Sequence, residues 1–397
     1  PRAPAANGLA PSIDRGPREI GNRKSLGHVS RIPVLRNRDE SKLLGEAMNG
    51  YRRIHAALRG ERPDVTPVML HNFMMAALEA GVSMSRYRTE PPEIARCFIE
   101  AVEKYEYDGI VVDVDTATLA GAVGVPVVFP EDEPAICRGR RLRSLDEVRD
   151  LEPADVGRYP GVQVWLEAVR LLKRHFGDEV YLRGNCDQAP FALACAMRGS
   201  ADWMMDLMDP ANEEDAGRLL EYSTDATVQF IRLMGATGAH MVSNGDSSAG
   251  PSLVSPRLYR AFALPYERRV VEAAHALGLP YMLHICGKTE PILDGMVSTG
   301  ADALELDYKT DARRARDILA GRVTFTGNID PSGVLALGTP RQVERKTREL
   351  LEVFAGTPRF ILNAGCAIPS TTPPDNIRAM IKVAREHSKE KHRADNA

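Results

Sequence analysis

The segment Tyr281-Met282-Leu283-His284-Ile285-Cys286-Gly287-Lys288-Thr289 sets two metal-competent side chains two positions apart in an apolar run. Side chains alternate between faces along a strand, so His284 and Cys286 point the same way. At the carboxyl end of a barrel strand that direction leads into the mouth, where barrel enzymes keep their sites. A second segment, Asn363-Ala364-Gly365-Cys366-Ala367-Ile368-Pro369, ends the last candidate strand on a Gly-Cys pair and brings Cys366 to the same mouth. The three form a His/Cys/Cys set, a zinc-type donor combination that leaves the fourth tetrahedral position open, as catalytic zinc requires. A satisfied core histidine with two inert thiols is the other reading, and residue types alone leave both standing.

Charge arithmetic turns the first reading into a reaction. Zn2+ with two thiolates and a neutral imidazole is formally neutral, so an incoming thiol can lose its proton and bind as a third thiolate that stays nucleophilic. A hydrolytic zinc uses nitrogen and oxygen ligands that leave it more positive, so thiol alkylation suits this donor set better. Polar groups cluster at other candidate strand ends. Asp246 and Asp187 are expected as pocket acids with a catalytic task, against the plainer reading of turn caps. Gln188, Asn328, Glu305 and Asp307 are expected to touch substrate, and the i, i+2 pair Glu305 and Asp307 has the alternative task of orienting His284. Asp330 before Pro331 is equally a turn residue.

Two motifs are set aside. Gly287-Lys288-Thr289 echoes the end of a phosphate-binding loop, but the glycine needed five residues earlier is Met282, so the cradle of backbone N–H groups is missing. The pairs Met74-Met75 and Met204-Met205 fall on apolar helical faces and read as core.

These residues need a scaffold, and the pattern supplies one. Apolar or β-branched runs at 65–70, 109–115, 180–185, 240–245, 281–287, 303–307, 323–329 and 360–364 alternate with amphipathic stretches at 92–105, 162–176, 202–208, 212–235, 256–277, 290–299, 310–320 and 340–355. Eight βα units predict an α/β fold of the (β/α)8 TIM-barrel type rather than an open doubly wound sheet. The long connection after the second strand holds two short runs, at 124–129 and 137–142, which predict an inserted hairpin or lid over one end. Residues 1–38 are rich in Pro, Gly, Arg and Lys without apolar periodicity and are expected to form a flexible N-terminal arm, leaving 39–390 as the barrel.

Composition narrows the partners. The chain of 397 residues is 44% hydrophobic, and its 51 basic and 54 acidic residues give a formal net charge of -3, so no overall field draws it to nucleic acid or an anionic membrane. No stretch approaches the ~20 apolar residues of a spanning helix, which with six scattered cysteines predicts a cytoplasmic protein. A small molecule or another protein is the expected partner, and nothing opposes a homodimer.

The His284-x-Cys286-Gly287 strand, Cys366-x-x-Pro369 with Thr372-Pro373-x-x-Asn376-Ile377, and Thr326-Gly327-Asn328-Ile329-Asp330-Pro331 resemble the cobamide-dependent methyltransferase branch of the uroporphyrinogen decarboxylase superfamily. Pro190-Phe191-Ala192-Leu193-Ala194, Gly245-Asp246, Leu253-Val254-Ser255-Pro256 and Leu264-Pro265-Tyr266 extend the resemblance over about residues 45 to 385. It implies a barrel whose zinc, held by His284, Cys286 and Cys366, activates a thiol such as coenzyme M to take the methyl group of a methylcobamide carried by a separate corrinoid protein. The Arg-rich N-terminal motif of true uroporphyrinogen decarboxylases is not found, and that enzyme needs no metal, so tetrapyrrole decarboxylation ranks lower. Alkylation of a thiol by another electrophile such as an epoxide, a pterin (tetrahydrofolate) acceptor, and a metal-free binding protein on the same barrel are the remaining alternatives.

Overall fold

The structure, a computed structural model, describes residues 47–395, with side chains through 387, so the arm expected over 1–38 lies outside the described residues. The strands are β1 (Met69–Leu70), β2 (Gly109–Val112), β3 (Val127–Val128), β4 (Ile136–Cys137), β5 (Tyr181–Gln188), β6 (Met241–Gly245), β7 (Tyr281–Ile285), β8 (Ala303–Leu306), β9 (Thr324–Ile329) and β10 (Phe360–Ala364). Eight of them form one parallel sheet in the order β1-β2-β5-β6-β7-β8-β9-β10. A parallel bridge from Val68 to Leu362 joins its edges, with the Leu362 N–H donating to the Pro67 carbonyl. The fold is therefore the (β/α)8 barrel that the alternation predicts. β3 and β4 pair antiparallel as a separate hairpin after β2, where two short runs placed it.

Helices such as Pro91–Tyr105, Pro160–Phe176, Glu213–Gly235 and Pro340–Val353 form the outer layer. One expectation needs correcting. The stretch 256–277 is two helices, Pro256–Phe262 and Leu264–His275, and not one. Pro265 has no N–H to give and its ring conflicts with the carbonyl four residues back, so the chain must restart there.

The barrel interior is layered by the two-residue period of its strands. Met69, Val111, Tyr181, Met241, Met282, Ala303 and Ile361 point inward near the amino ends and pack with Ile54, Ala57 and Leu58. Those three belong to the helix Gly50–Arg59, which closes that end. It is tied there by a bond from the Tyr51 N–H to the Glu179 carbonyl and one from the Thr324 hydroxyl to the Ala57 carbonyl. Gly109 makes room for it, since a Cβ there would lie 2.4 Å from Ile54 Cδ1. Two positions further along the strands, the inward residues Arg183, Ser243, His284, Glu305 and Asn363 are all polar. That change of character prepares the upper half for chemistry.

Candidate metal centre at the barrel mouth

His284 near the end of β7, Cys286 just past it and Cys366 just past β10 bring one donor atom each within 4.8 Å of one another. His284 Nε2 is 2.9 Å from Cys286 Sγ, and Cys286 Sγ is 3.8 Å from Cys366 Sγ. Two thiolates bound tetrahedrally at about 2.3 Å from one ion stand about 3.8 Å apart, so the sulfurs already have the spacing that zinc requires. Two strands, β8 and β9, lie between β7 and β10 in the sheet, so the set forms only across the mouth of the closed barrel. Gly365 is needed for the approach, because a Cβ there would meet Tyr308 N at 2.4 Å.

Beneath the three donors lies a connected polar layer. His284 Nδ1 is 3.0 Å from the Glu305 carbonyl oxygen and 3.5 Å from Glu305 Oε2. The carboxylate of Glu305 receives Arg183 through two bonds of 2.8 and 3.0 Å and Asn363 Nδ2 at 2.8 Å, while Arg183 Nε donates to Ser243 Oγ at 2.8 Å. Both charges of the pair are buried, with 2% and 1% of the side chains exposed. The Nδ1 contact leaves His284 Nε2 free to face the sulfurs, the way a ligating imidazole is held. Nearby, His71 Nε2 sits 2.6 Å from Asp113 Oδ2.

The charges follow from these contacts. Burial is the largest influence on Glu305 and works to raise it, but the Arg183 guanidinium outweighs it and holds the carboxyl at about 2. The hydrogen bond from the Cys366 thiol, with further help from His284, lowers Cys286 to about 3 despite burial. Cys366 is raised, first by donating to that thiolate and then by burial. Burial lowers His284, yet Cys286 and Glu305 prevail and lift it to about 9.

The other expected site residues separate into two groups. Asp307 stays close to the donors. Its carboxylate accepts the Gly287 and Lys309 N–H groups at 2.8 and 2.9 Å, and it lines a cavity of about 530 Å³ together with Cys286. Glu305 faces Arg183 and His284 instead of open space. Asn328 lines a different cavity, with Asp330, and its Nδ2 donates to the Asp307 and Thr310 carbonyls, which fastens the loop after β8. Asp330 accepts the Ser332 and Gly333 N–H groups, as a turn residue does.

The side chains of the remaining three turn to other partners, although the Asp246 N–H donates to the His284 carbonyl at 2.8 Å. Gln188 Nε2 donates to the Thr116 carbonyl at 3.1 Å. Asp187 adopts a left-handed φ of 59° and accepts the Leu119 N–H at 2.7 Å, and burial with Asp115 nearby raises its carboxyl well above the usual range. Asp246 is wholly buried, accepts the Ala192 N–H at 2.6 Å at the start of the helix Pro190–Arg198, and is pushed up to about 7 by burial. Sequence reasoning passed over Arg183, the His71–Asp113 pair and Ser247, whose hydroxyl accepts the Cys286 N–H. Only Arg183 left a signal, as a cation inside a strand pattern whose neighbours are buried.

The profile of the family described as Uroporphyrinogen decarboxylase (URO-D) matches residues 50–387. A methylcobamide:CoM methyltransferase from Methanosarcina mazei is 31% identical over 62% of this chain and 69% of its own length. A uroporphyrinogen decarboxylase from Syntrophotalea carbinolica is likewise 31% identical, over 73% of this chain and 83% of its own. Among solved structures, a methyltransferase from Methanosarcina mazei superposes with a TM-score of 0.78 at 22% identity, covering 86% of this chain and 99% of that one, a likeness of fold.

Proposed function

The chain belongs to the uroporphyrinogen decarboxylase family, and from that premise we propose that it moves a methyl group from a methylcobamide, carried by a separate corrinoid protein, to a small thiol. His284, Cys286 and Cys366 would hold a zinc ion. The observation that carries this reading is the meeting of these three donors at one point of the mouth. When bound there, zinc supplies the Lewis acidity that lets a thiol give up its proton near neutral pH.

The chain's own groups have separable tasks in this reading. Glu305 is a positioning residue, which fixes the ring of His284 through Nδ1 and balances the buried Arg183. Asp246 also positions, since its N–H donates to the His284 carbonyl at 2.8 Å while its carboxyl holds the start of the neighbouring helix. Ser247 anchors the backbone of Cys286. Decarboxylation, the activity named for the Syntrophotalea carbinolica relative, would leave the three donors without a task.

Metal analysis with X-ray absorption of the full chain tests the proposal. About one zinc per chain is expected, in a shell of sulfur and nitrogen that gains a sulfur scatterer when a small thiol is added, with release of about one proton. Absence of zinc, or a shell that stays the same across a range of thiols, overturns it.

A further inference from the structure

The chain has a formal net charge of -3, yet residues 138–143 read Arg-Gly-Arg-Arg-Leu-Arg, a dense local run of cations. The run follows β4 in the insertion after β2, and Arg140, Arg141 and Arg143 from it line one cavity of about 540 Å³. Leu142 and Leu151 give that cavity apolar wall. Its lining shares no residue with the metal donors or with the cavity beside Cys286. We propose that this cavity is an anion site for a ligand carrying two linked phosphates, which the Arg140, Arg141 and Arg143 guanidiniums hold together. The site is separate from the methyl-transfer reading and does not depend on it.

Neighbouring groups fix the cations before any ligand arrives. The Arg141 and Leu142 N–H groups both donate to the Met197 carbonyl, at 2.8 and 3.0 Å, and the Leu142 side chain is buried beneath them. Buried Arg198 donates to the Arg143 carbonyl at 2.9 Å while it also binds Asp202 and Asp206. Asp202 in turn pairs with Arg140, which ties that guanidinium to the helix Ser200–Asp206. Arg141 lies over Gly124, where a Cβ would come within 3.1 Å of its Cδ and Nε. Two acids share the wall: Glu147 accepts the Arg143 N–H at 2.8 Å, and Asp150 is the other. Among the described residues neither Arg141 nor Arg143 pairs with a carboxylate, so both forks of donors are open to a ligand. A guanidinium takes phosphate oxygens two at a time, and a phosphoanhydride presents enough oxygens on several sides to engage more than one fork. With the segment already held, little ordering remains to oppose binding.

Calorimetry of the full chain with inorganic pyrophosphate, inorganic phosphate and tricarballylate, a tricarboxylate of similar charge to pyrophosphate, tests the site. Pyrophosphate should bind on the order of tenfold or more tighter than phosphate, and tricarballylate no tighter than phosphate. Rising salt should weaken the binding. In Arg141→Ala/Arg143→Ala the pyrophosphate affinity should fall about tenfold or more. Both side chains are exposed, so the melting temperature and metal content of that variant should match the parent. Asp150→Asn removes a like charge from the wall and should tighten pyrophosphate several-fold. Three results overturn the proposal: no pyrophosphate binding by the unaltered chain, tricarballylate bound as tightly as pyrophosphate, or an affinity that survives the double substitution. The last would place the ligand elsewhere on the chain, the metal centre included.

Discussion

The two halves of the barrel interior are built on the same strands and do opposite things. At the amino end, Met69, Val111, Met241, Met282 and Ile361 close around Ile54 and Leu58 in an apolar floor. Two residues further on, Arg183, Ser243, Glu305 and Asn363 form a charged network under His284. Fully burying one Met or Ile contributes about 1.5–3 kcal/mol, so the floor supplies stability. A buried ion pair such as Arg183–Glu305 is different, because desolvating both charges can cost more than their attraction returns. Its yield is position and charge, since the carboxylate lies 3.5 Å from the Nδ1 of the imidazole whose hydrogen bond is taken by the Glu305 carbonyl. One period-two pattern thus makes a stabilising layer and a directing layer, separated by a single step along each strand.

The largest effect should come from the top of the directing half. Cys366→Ser exchanges a soft thiolate for a poor neutral donor, so zinc affinity and methyl transfer should fall by orders of magnitude. The fold should remain, as a core of this size does not depend on one ion. Cys97→Ser and Cys195→Ser change buried thiols in outer helices and should leave the metal in place. A Cys366→Ser chain with full zinc and activity would sink the three-donor centre.

Next in size is a matched pair across the layers. Glu305→Gln leaves the Arg183 charge buried without a partner and should destabilise by about 3–5 kcal/mol. Met282→Ala in the floor should cost a similar ~2–5 kcal/mol through the cavity it opens. The distinction lies in the metal, since zinc affinity should fall roughly 10- to 100-fold in Glu305→Gln only. If Met282→Ala weakens zinc as much, the layers are not separable in function.

Much of this was legible beforehand, for identifiable reasons. All eight barrel strands stand where apolar runs placed them, because parallel strands buried on both faces write themselves as such runs. His284, Cys286 and Cys366 could be named together because Gly365-Cys366 ends a strand as His284-x-Cys286 does. The network below them could not, since Arg183 and Glu305 lie 122 positions apart and pair only through barrel closure. Asp246 was expected in the pocket because it follows β6. Local sequence does not reveal that its carboxyl turns to the start of the helix Pro190–Arg198.

A smaller effect should appear in the pH dependence of stability at the mouth. Burial, then Asp115, raises the Asp187 carboxyl well above its usual range in the folded chain. The native state therefore keeps a proton that the unfolded chain releases, so this group's contribution is full below about pH 4 and declines as pH rises toward the raised native value. Asp187→Asn removes that decline and suits the left-handed φ of 59°, which Asn tolerates well. Urea midpoints at about pH 5 and pH 8 should differ less in the variant than in the parent. An unchanged difference would mean that Asp187 is ionised in the folded state, and that the directing half carries one more negative charge than its geometry indicates.

The smallest effect is the sharpest check on the floor. Ile54 is fully buried and reaches across the amino end to Gly109, where the missing Cβ makes space for its Cδ1. Ile54→Val removes that one methyl group and should cost about 0.5–1.5 kcal/mol, since the strands around it cannot collapse to fill the gap. Because the floor and the proposed metal centre share strands but draw on different residues, zinc affinity and thiol binding should stay the same within error. Should so slight a change at the base alter the metal, the strands would be transmitting strain from floor to mouth. The apolar layer would then be setting the position of His284 along with Glu305.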